Sequence, residues 1–148
     1  MNDIDQYIED VGLHYARMGL NRTAARVIGA LLVSENDADS GELAASLGVA
    51  KSSLSVALRQ LEQFGLVVRT RQPRANRDTY RLVDNMFEAS FRSKLAELTA
   101  FADLAERGAS LVPRDSVASE RLQRLARLYE FMESEIDAVF ERWDTRET

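Results

Sequence analysis

Residues 51–81 read KSSLSVALRQLEQFGLVVRTRQPRANRDTYR. Seven basic residues (Lys51, Arg59, Arg69, Arg71, Arg74, Arg77, Arg81) face two acidic ones (Glu62, Asp78), a local charge of +5. The whole chain of 148 residues carries −5, so the remainder carries −10. The same stretch changes period half-way. Leu54, Ala57, Leu58 and Leu61 fall at helical spacing, and Gly65 is placed to end that helix. Beyond it, Val67, Arg69 and Arg71 alternate with Val68, Thr70 and Gln72, the period of a strand. DTYRLV repeats the pattern with Tyr80 and Leu82 on one face, and PRAN between the two runs holds the turn residues Pro73 and Asn76. A helix followed by a hairpin with an arginine-bearing tip is therefore expected.

Upstream, Ile4, Ile8, Val11, Tyr15 and Met18 form one helical stripe, with Gly19 and Asn21 punctuating its end. TAARVIGALLVSE places Ala24, Val27, Ile28, Leu31 and Leu32 on one face. Gly29 inside that helix costs about 1 kcal/mol relative to Ala, which close packing against another helix would explain. ENDADSG reads as a turn, and Ser40 as the N-cap of a short helix, GELAASL. Downstream, Phe87, Phe91, Leu95, Leu98, Ala102 and Ala105 continue a helix from Asn85 to about Arg107, broken by Gly108 and Pro113. Ala118, Leu122, Leu125, Tyr129, Met132, Ile136, Val139 and Trp143 then step by four and three, a coiled-coil seam.

Composition excludes several kinds of chemistry. There is no cysteine and the single histidine is His14, so thiolate metal sites, disulfides and the usual His-based zinc and triad chemistries are out. His14 reads as a surface or interface residue. No Gly-rich phosphate loop or nucleophile elbow occurs, and no cofactor is expected. Dense carboxylates such as Glu9, Asp10, Glu133 and Glu135 sit among arginines and read as solvated ion pairs. The protein reads as a non-enzyme. No apolar run reaches the ~20 residues that span a bilayer. The acidic N-terminus lacks the regions of a signal peptide, so a cytoplasmic location is expected.

Helix, helix, turn, helix, hairpin is the order of a winged helix-turn-helix. Ala44 and Gly48 let two short helices approach and turn, and Leu47, Leu54 and Leu58 hold the second against the first. The opposite face of that second helix carries Ser52, Ser53, Ser55 and Arg59, short polar groups suited to a major groove about 12 Å wide. The expected DNA-binding set is Lys51, Ser52, Ser53, Ser55, Arg59, Arg69, Arg71, Arg74 and Arg77, with Arg74 and Arg77 at the hairpin tip aimed at a minor groove. The alternative is a winged helix used as a protein-interaction or scaffold module without sequence-specific DNA binding. A basic tip favours DNA, since a protein-docking wing presents apolar groups.

Residues 22–83 resemble the winged-helix domain of bacterial MarR-type repressors, most of all the glycine-betaine synthesis repressor (GbsR) branch. The likeness rests on AARVIGALL, AKSSLSVALRQLEQFGLV and the R…Y wing; Ala50 stands where the family often has a capping Ser. The resemblance implies a mainly α fold with a two-stranded wing. It divides the chain into an N-terminal dimerisation helix (1–20), a DNA-binding domain (21–83) and a helical dimerisation region (84–148). It also implies a homodimer on a palindromic operator in double-stranded DNA, acting as a repressor relieved by a small-molecule effector. Betaine-branch members resemble choline sensors, which need an aromatic cage. The aromatic candidates are Tyr15, Phe87, Phe91, Tyr129 and Trp143, and an effector site at Phe87, Phe91 and Tyr129 is expected.

Overall fold

The computed structural model describes residues 2–148; Met1, the first residue of the expected 1–20 segment, lies outside them. The chain divides into two compact units, residues 1–89 and 90–148. The first unit begins with α1 (Asp3–Arg17) and α2 (Arg22–Leu32). Asn2 caps α1 through a capping box with Asp5, and Asn21 caps α2 by accepting from the amides of Thr23 and Ala24. Asn21 thus opens the second helix, while Gly19, at φ +92°, closes the first.

Gly29 explains itself once the two helices meet. A Cβ there would lie 3.2 Å from the Cα of Ile8 and 3.2 Å from the Cβ of Val11. Gly12 makes the reciprocal approach, since a Cβ on it would lie 2.8 Å from Cγ of Arg26. The Arg26 stem runs over Gly12, its Nε donates to Glu9 Oε1 at 2.6 Å, and its terminal nitrogen donates to the Leu47 carbonyl at 2.9 Å. Arg22 adds a 3.0 Å bond to Glu9. That bond, with the positive charge of Arg26 beside it, holds the Glu9 carboxyl below its ordinary range. Of the N-terminal stripe only Ile8, Val11 and Tyr15 pack on the core; Ile4 and Met18 stay exposed.

ENDADSG contains a strand as well as a turn. Ala38–Asp39 form β1, and the cap of α3 (Ser40–Leu47) is Asp39, not Ser40. Asp39 accepts from the Glu42 amide and Glu42 returns the bond to the Asp39 amide, a reciprocal arrangement that Ser40 is one residue too late to make. Gly48 ends α3 at φ 63°, in the left-handed region. The next helix, α4 (Lys51–Gln63), starts at Ala50 with no side-chain cap, as the sequence implied. Gly65, at φ +70°, ends it; the Leu66 amide reaches back to the Leu61 carbonyl and the Gly65 amide to that of Glu62.

The wing is β2 (Val67–Gln72) and β3 (Arg77–Leu82), antiparallel, with Arg69 opposite Tyr80 and Gln72 opposite Arg77. β1 adds a third strand on the far side of β3, pairing Ala38 with Tyr80 and Asp39 with Thr79. One core gathers Val27, Ile28, Leu43, Leu47, Leu54, Leu58, Leu61, Val67 and Tyr80 beneath the helices and the sheet.

The remaining helices are α5 (Met86–Leu111), whose first turn closes the first unit, and α6 (Val117–Glu147). In the second unit they run antiparallel: Phe91 meets Phe140, Phe101 meets Tyr129, and Gly108 meets Leu122. Gly108 therefore does not break α5. It lies inside the helix, where a Cβ would sit 3.2 Å from Leu122 Cδ1. Buried positions here are Leu95, Ala102 and Ala105 on α5, with Ser119 and Ala126 on α6. The seam itself is only half covered, with Met132, Val139 and Trp143 exposed. Arg92 lies 4.4 Å over the Phe140 ring and pairs with Asp137 at 2.9 Å. Glu106 and Glu130 sit close enough to share a hydrogen bond, which raises the Glu106 carboxyl above its ordinary range.

Gly29→Ala tests the helix crossing. Propensity alone would favour alanine by about 1 kcal/mol. Overpacking against the Ile8 backbone costs about 1–3 kcal/mol, so the variant is expected to melt lower than the parent in a thermal unfolding scan. A higher melting point would mean that α1 yields freely.

Candidate nucleic-acid interface

The face of α4 that turns away from the core carries the residues that the sequence reading expects to meet DNA. Leu54, Ala57, Leu58 and Leu61 are buried, which leaves Lys51, Ser52, Ser53, Ser55 and Arg59 all exposed. Val56 lies among them, 58% exposed, a methyl-bearing group where an apolar contact to thymine would fall. An α-helix with its side chains is about 10–12 Å across, which matches a major groove.

The arginines of the hairpin divide into two classes. Arg69 lies 3.3 Å from Glu62 and 3.8 Å from Asp78; Arg71 lies 3.4 Å from Asp78 and also donates to Asn76. Arg77 reaches out of the hairpin to Asp39 at 2.7 Å. Arg81 pairs with Asp84 at 3.7 Å. Lys51, Arg59 and Arg74 have no carboxylate within 4.0 Å among the described residues. Exposed ion pairs are worth about 0–1 kcal/mol, so a phosphate can compete for Arg71. The Arg77 pair is tighter, because the Asp39 side chain is only 15% exposed.

A cleft of about 370 Å³ opens between α4, the start of α3 and the wing. Lys51, Ser55, Arg59 and Arg69 line it, with Glu62 and Tyr80 on its inner side. Burial, joined by the Glu62 charge, pushes the Tyr80 phenol above its ordinary range; the Arg69 guanidinium pulls the other way. Two residues here escaped the sequence reading. Glu62 places a carboxylate inside a basic cleft. Asp39 joins the wing to α3, and only its cap spacing to Glu42 was visible in the chain.

Within the second unit, the expected effector residues Phe91 and Tyr129 each meet a different ring. Phe91 stacks edge-on with Phe140 at 5.9 Å between ring centres, and Tyr129 with Phe101 at 6.1 Å. Phe87 and Phe91 are both exposed. Among the described residues no group of three His, Cys, Asp or Glu side chains is arranged to hold a metal, and no helix is long and apolar enough to cross a membrane.

Comparison with known proteins agrees with this geometry. A model of the MarR family matches residues 18–78, and one of the MmpR5-like MarR family transcriptional regulators matches residues 85–146. The HTH-type transcriptional regulator MmpR5 of Mycobacterium tuberculosis is 30% identical over 146 residues, spanning 97% of this chain and 88% of that one. The chain belongs to the MarR family of transcriptional regulators. A crystal structure of a transcriptional regulator, 30% identical, matches it with a TM-score of 0.82 over 97% of this chain and 99% of the other. Membership makes this MarR-family protein a DNA-binding transcriptional regulator and not an enzyme, which decides against the scaffold alternative. The glycine-betaine branch is not supported, because the matched subgroup is the MmpR5-like one. The choline expectation that depended on that branch loses its basis with it.

The two classes of arginine predict different losses in the regulator. Arg74→Ala is expected to weaken binding to selected and random duplexes alike, by about threefold to tenfold, since a phosphate contact carries no sequence information. Arg71→Ala is expected to do less, its charge being already balanced. Titration of each variant against both duplexes measures the difference; equal losses would show that the ion pair with Asp78 does not survive on DNA.

Proposed function

We propose that the protein is a homodimeric repressor that seats its two α4 helices in successive major grooves of a palindromic operator, with the wings on the flanking minor grooves. The observation that carries this reading is the coincidence of three uncompensated cations, Lys51, Arg59 and Arg74, with the exposed serine face of α4. Lys51, Arg59 and Arg74 are assigned to phosphates, and Arg69, Arg71 and Arg77 to holding the wing beside the DNA. Ser52, Ser53 and Ser55 are assigned to base edges. Dimerisation is supported by the second unit, which leaves Phe101, Leu104, Leu128, Phe131, Met132 and Val139 exposed, apolar groups of the kind that mark an interaction site when they gather on one face. The stripe of α1 leaves Ile4 and Met18 open in the same way. The reading places the protein in the cytoplasm, on chromosomal DNA. Relief of repression is assigned to a small apolar or aromatic effector, for which the exposed rings of Phe87 and Phe91 on α5 supply surface.

The salt dependence of binding tests the DNA face. Three unpaired cations per protomer make about six phosphate contacts per dimer, so log K should fall with log salt at a slope of about −5. A slope near zero would reject the assignment. Sedimentation at micromolar concentration is expected to give a dimer, and a monomer would reject the paired arrangement.

A further inference from the structure

We infer that Asp39 is a positioning residue for DNA reading, a carboxylate that ties the tip end of the wing to the start of α3. This rests on the reading above, in which the wing touches DNA.

Asp39 is the last residue of β1 and the cap of α3 at once. Its Oδ1 accepts from the Glu42 amide at 2.8 Å, which fixes the start of α3. Its Oδ2 accepts from Arg77 at 2.7 Å, which holds the first residue of β3 where the hairpin leaves its tip. Its backbone pairs with Thr79 in the same strand. Both oxygens are therefore spent, one on each side of the joint between wing and helix-turn-helix. Arg77 is 56% exposed and would swing freely on its stem without this partner, whereas Asp39 is largely covered.

The remaining contacts of the hairpin tip stay within the hairpin. Arg71 bonds Asn76 and Asp78, both wing residues. A two-residue strand pairs weakly by itself, because few ladder bonds oppose the twist and bending of a β-ribbon. The Arg77–Asp39 pair adds a side-chain anchor next to those bonds. α3 in turn leads through Gly48 into α4, so Asp39 ties the wing to the recognition helix from the β3 side, as the Arg69–Glu62 pair does from the β2 side. Misplacing a positioning contact loses the specific complex, in which both elements must fit at once. Non-specific binding, which needs only charge, is spared.

Asp39→Asn isolates the effect. Asparagine caps a helix as well as aspartate does, and with its one oxygen on the Glu42 amide it turns an NH2 group toward Arg77, which cannot accept it. The full-length protein is compared with D39N, R77Q and the double variant. The probes are a duplex selected from a randomised library by the wild-type protein and a random-sequence duplex. D39N is expected to keep the wild-type melting temperature within a few degrees. It should lose about tenfold in affinity for the selected duplex and none for the random one. R77Q should lose a similar amount on the selected duplex, and the double variant no more than either single change. Independent, multiplying losses would overturn the proposal, as would a D39N protein that discriminates like wild type. A loss in R77Q on both duplexes, with a shallower salt slope and no effect in D39N, would make Arg77 a phosphate contact and also overturn it. Failure of the wing reading has its own signature: Arg74→Ala would leave affinity and salt slope unchanged on both duplexes. The tether would then have nothing to position, and the proposal would fall with it.

Discussion

Leu54, Ala57, Leu58 and Leu61 must be buried, and on a helix that requirement fixes the direction of every other side chain. With those four against α2 and α3, the serines and Arg59 point outward together, and the chain has no rotation of α4 that would hide them without exposing leucine. Burying a leucine is worth about 1.5–3 kcal/mol, more than the interactions offered by the polar face. The polar face of α4 is therefore held by what lies behind it. The same core reaches the wing through Val67 and Tyr80, so the sheet is seated on the same foundation.

Charge on that surface is rationed by geometry rather than by composition. Seven basic residues between 51 and 81 look equivalent in the chain. In the fold, Arg69, Arg71, Arg77 and Arg81 are answered by Glu62, Asp78, Asp39 and Asp84. What remains uncompensated is a smaller set distributed over both elements, with Lys51 and Arg59 on the helix and Arg74 on the wing tip. The paired arginines are held within the fold, where they shape the wing.

The second unit follows a different logic. Its two helices approach where side chains are small, at Ala102, Ala105, Gly108, Ser119 and Ala126, and most of the larger apolar groups, Leu95 apart, are left at least partly outside. In a water-soluble monomer this would be a liability. The proposed dimer would cover it, and the apolar spacing of α6, a seam in the sequence, is only half covered within one chain.

Most of the fold was legible because it is written in local periods. The helices, the wing hairpin, Gly48 and Gly65 as helix ends, and the outward face of α4 all follow from spacing within a few turns of chain. Gly29 was legible as a puzzle, a poor helix former in a good helix, although its partner was not. What stayed hidden depended on residues far apart in sequence. β1 is two residues long and has no period of its own; it exists because β3 lies beside it. Gly108 reads as a breaker until Leu122 occupies the space above it. The division of the arginines into paired and unpaired could not be read from the chain, because Arg77 finds Asp39 across 38 residues and Arg69 finds Glu62 only after Gly65 turns the strand back toward the helix. The sequence alone determined the helices and the wing hairpin and which side of each is polar, because those depend on neighbours a turn away. Tertiary structure alone decided which charges remain unpaired, because an ion pair needs two side chains within about 4 Å, and only packing brings them there.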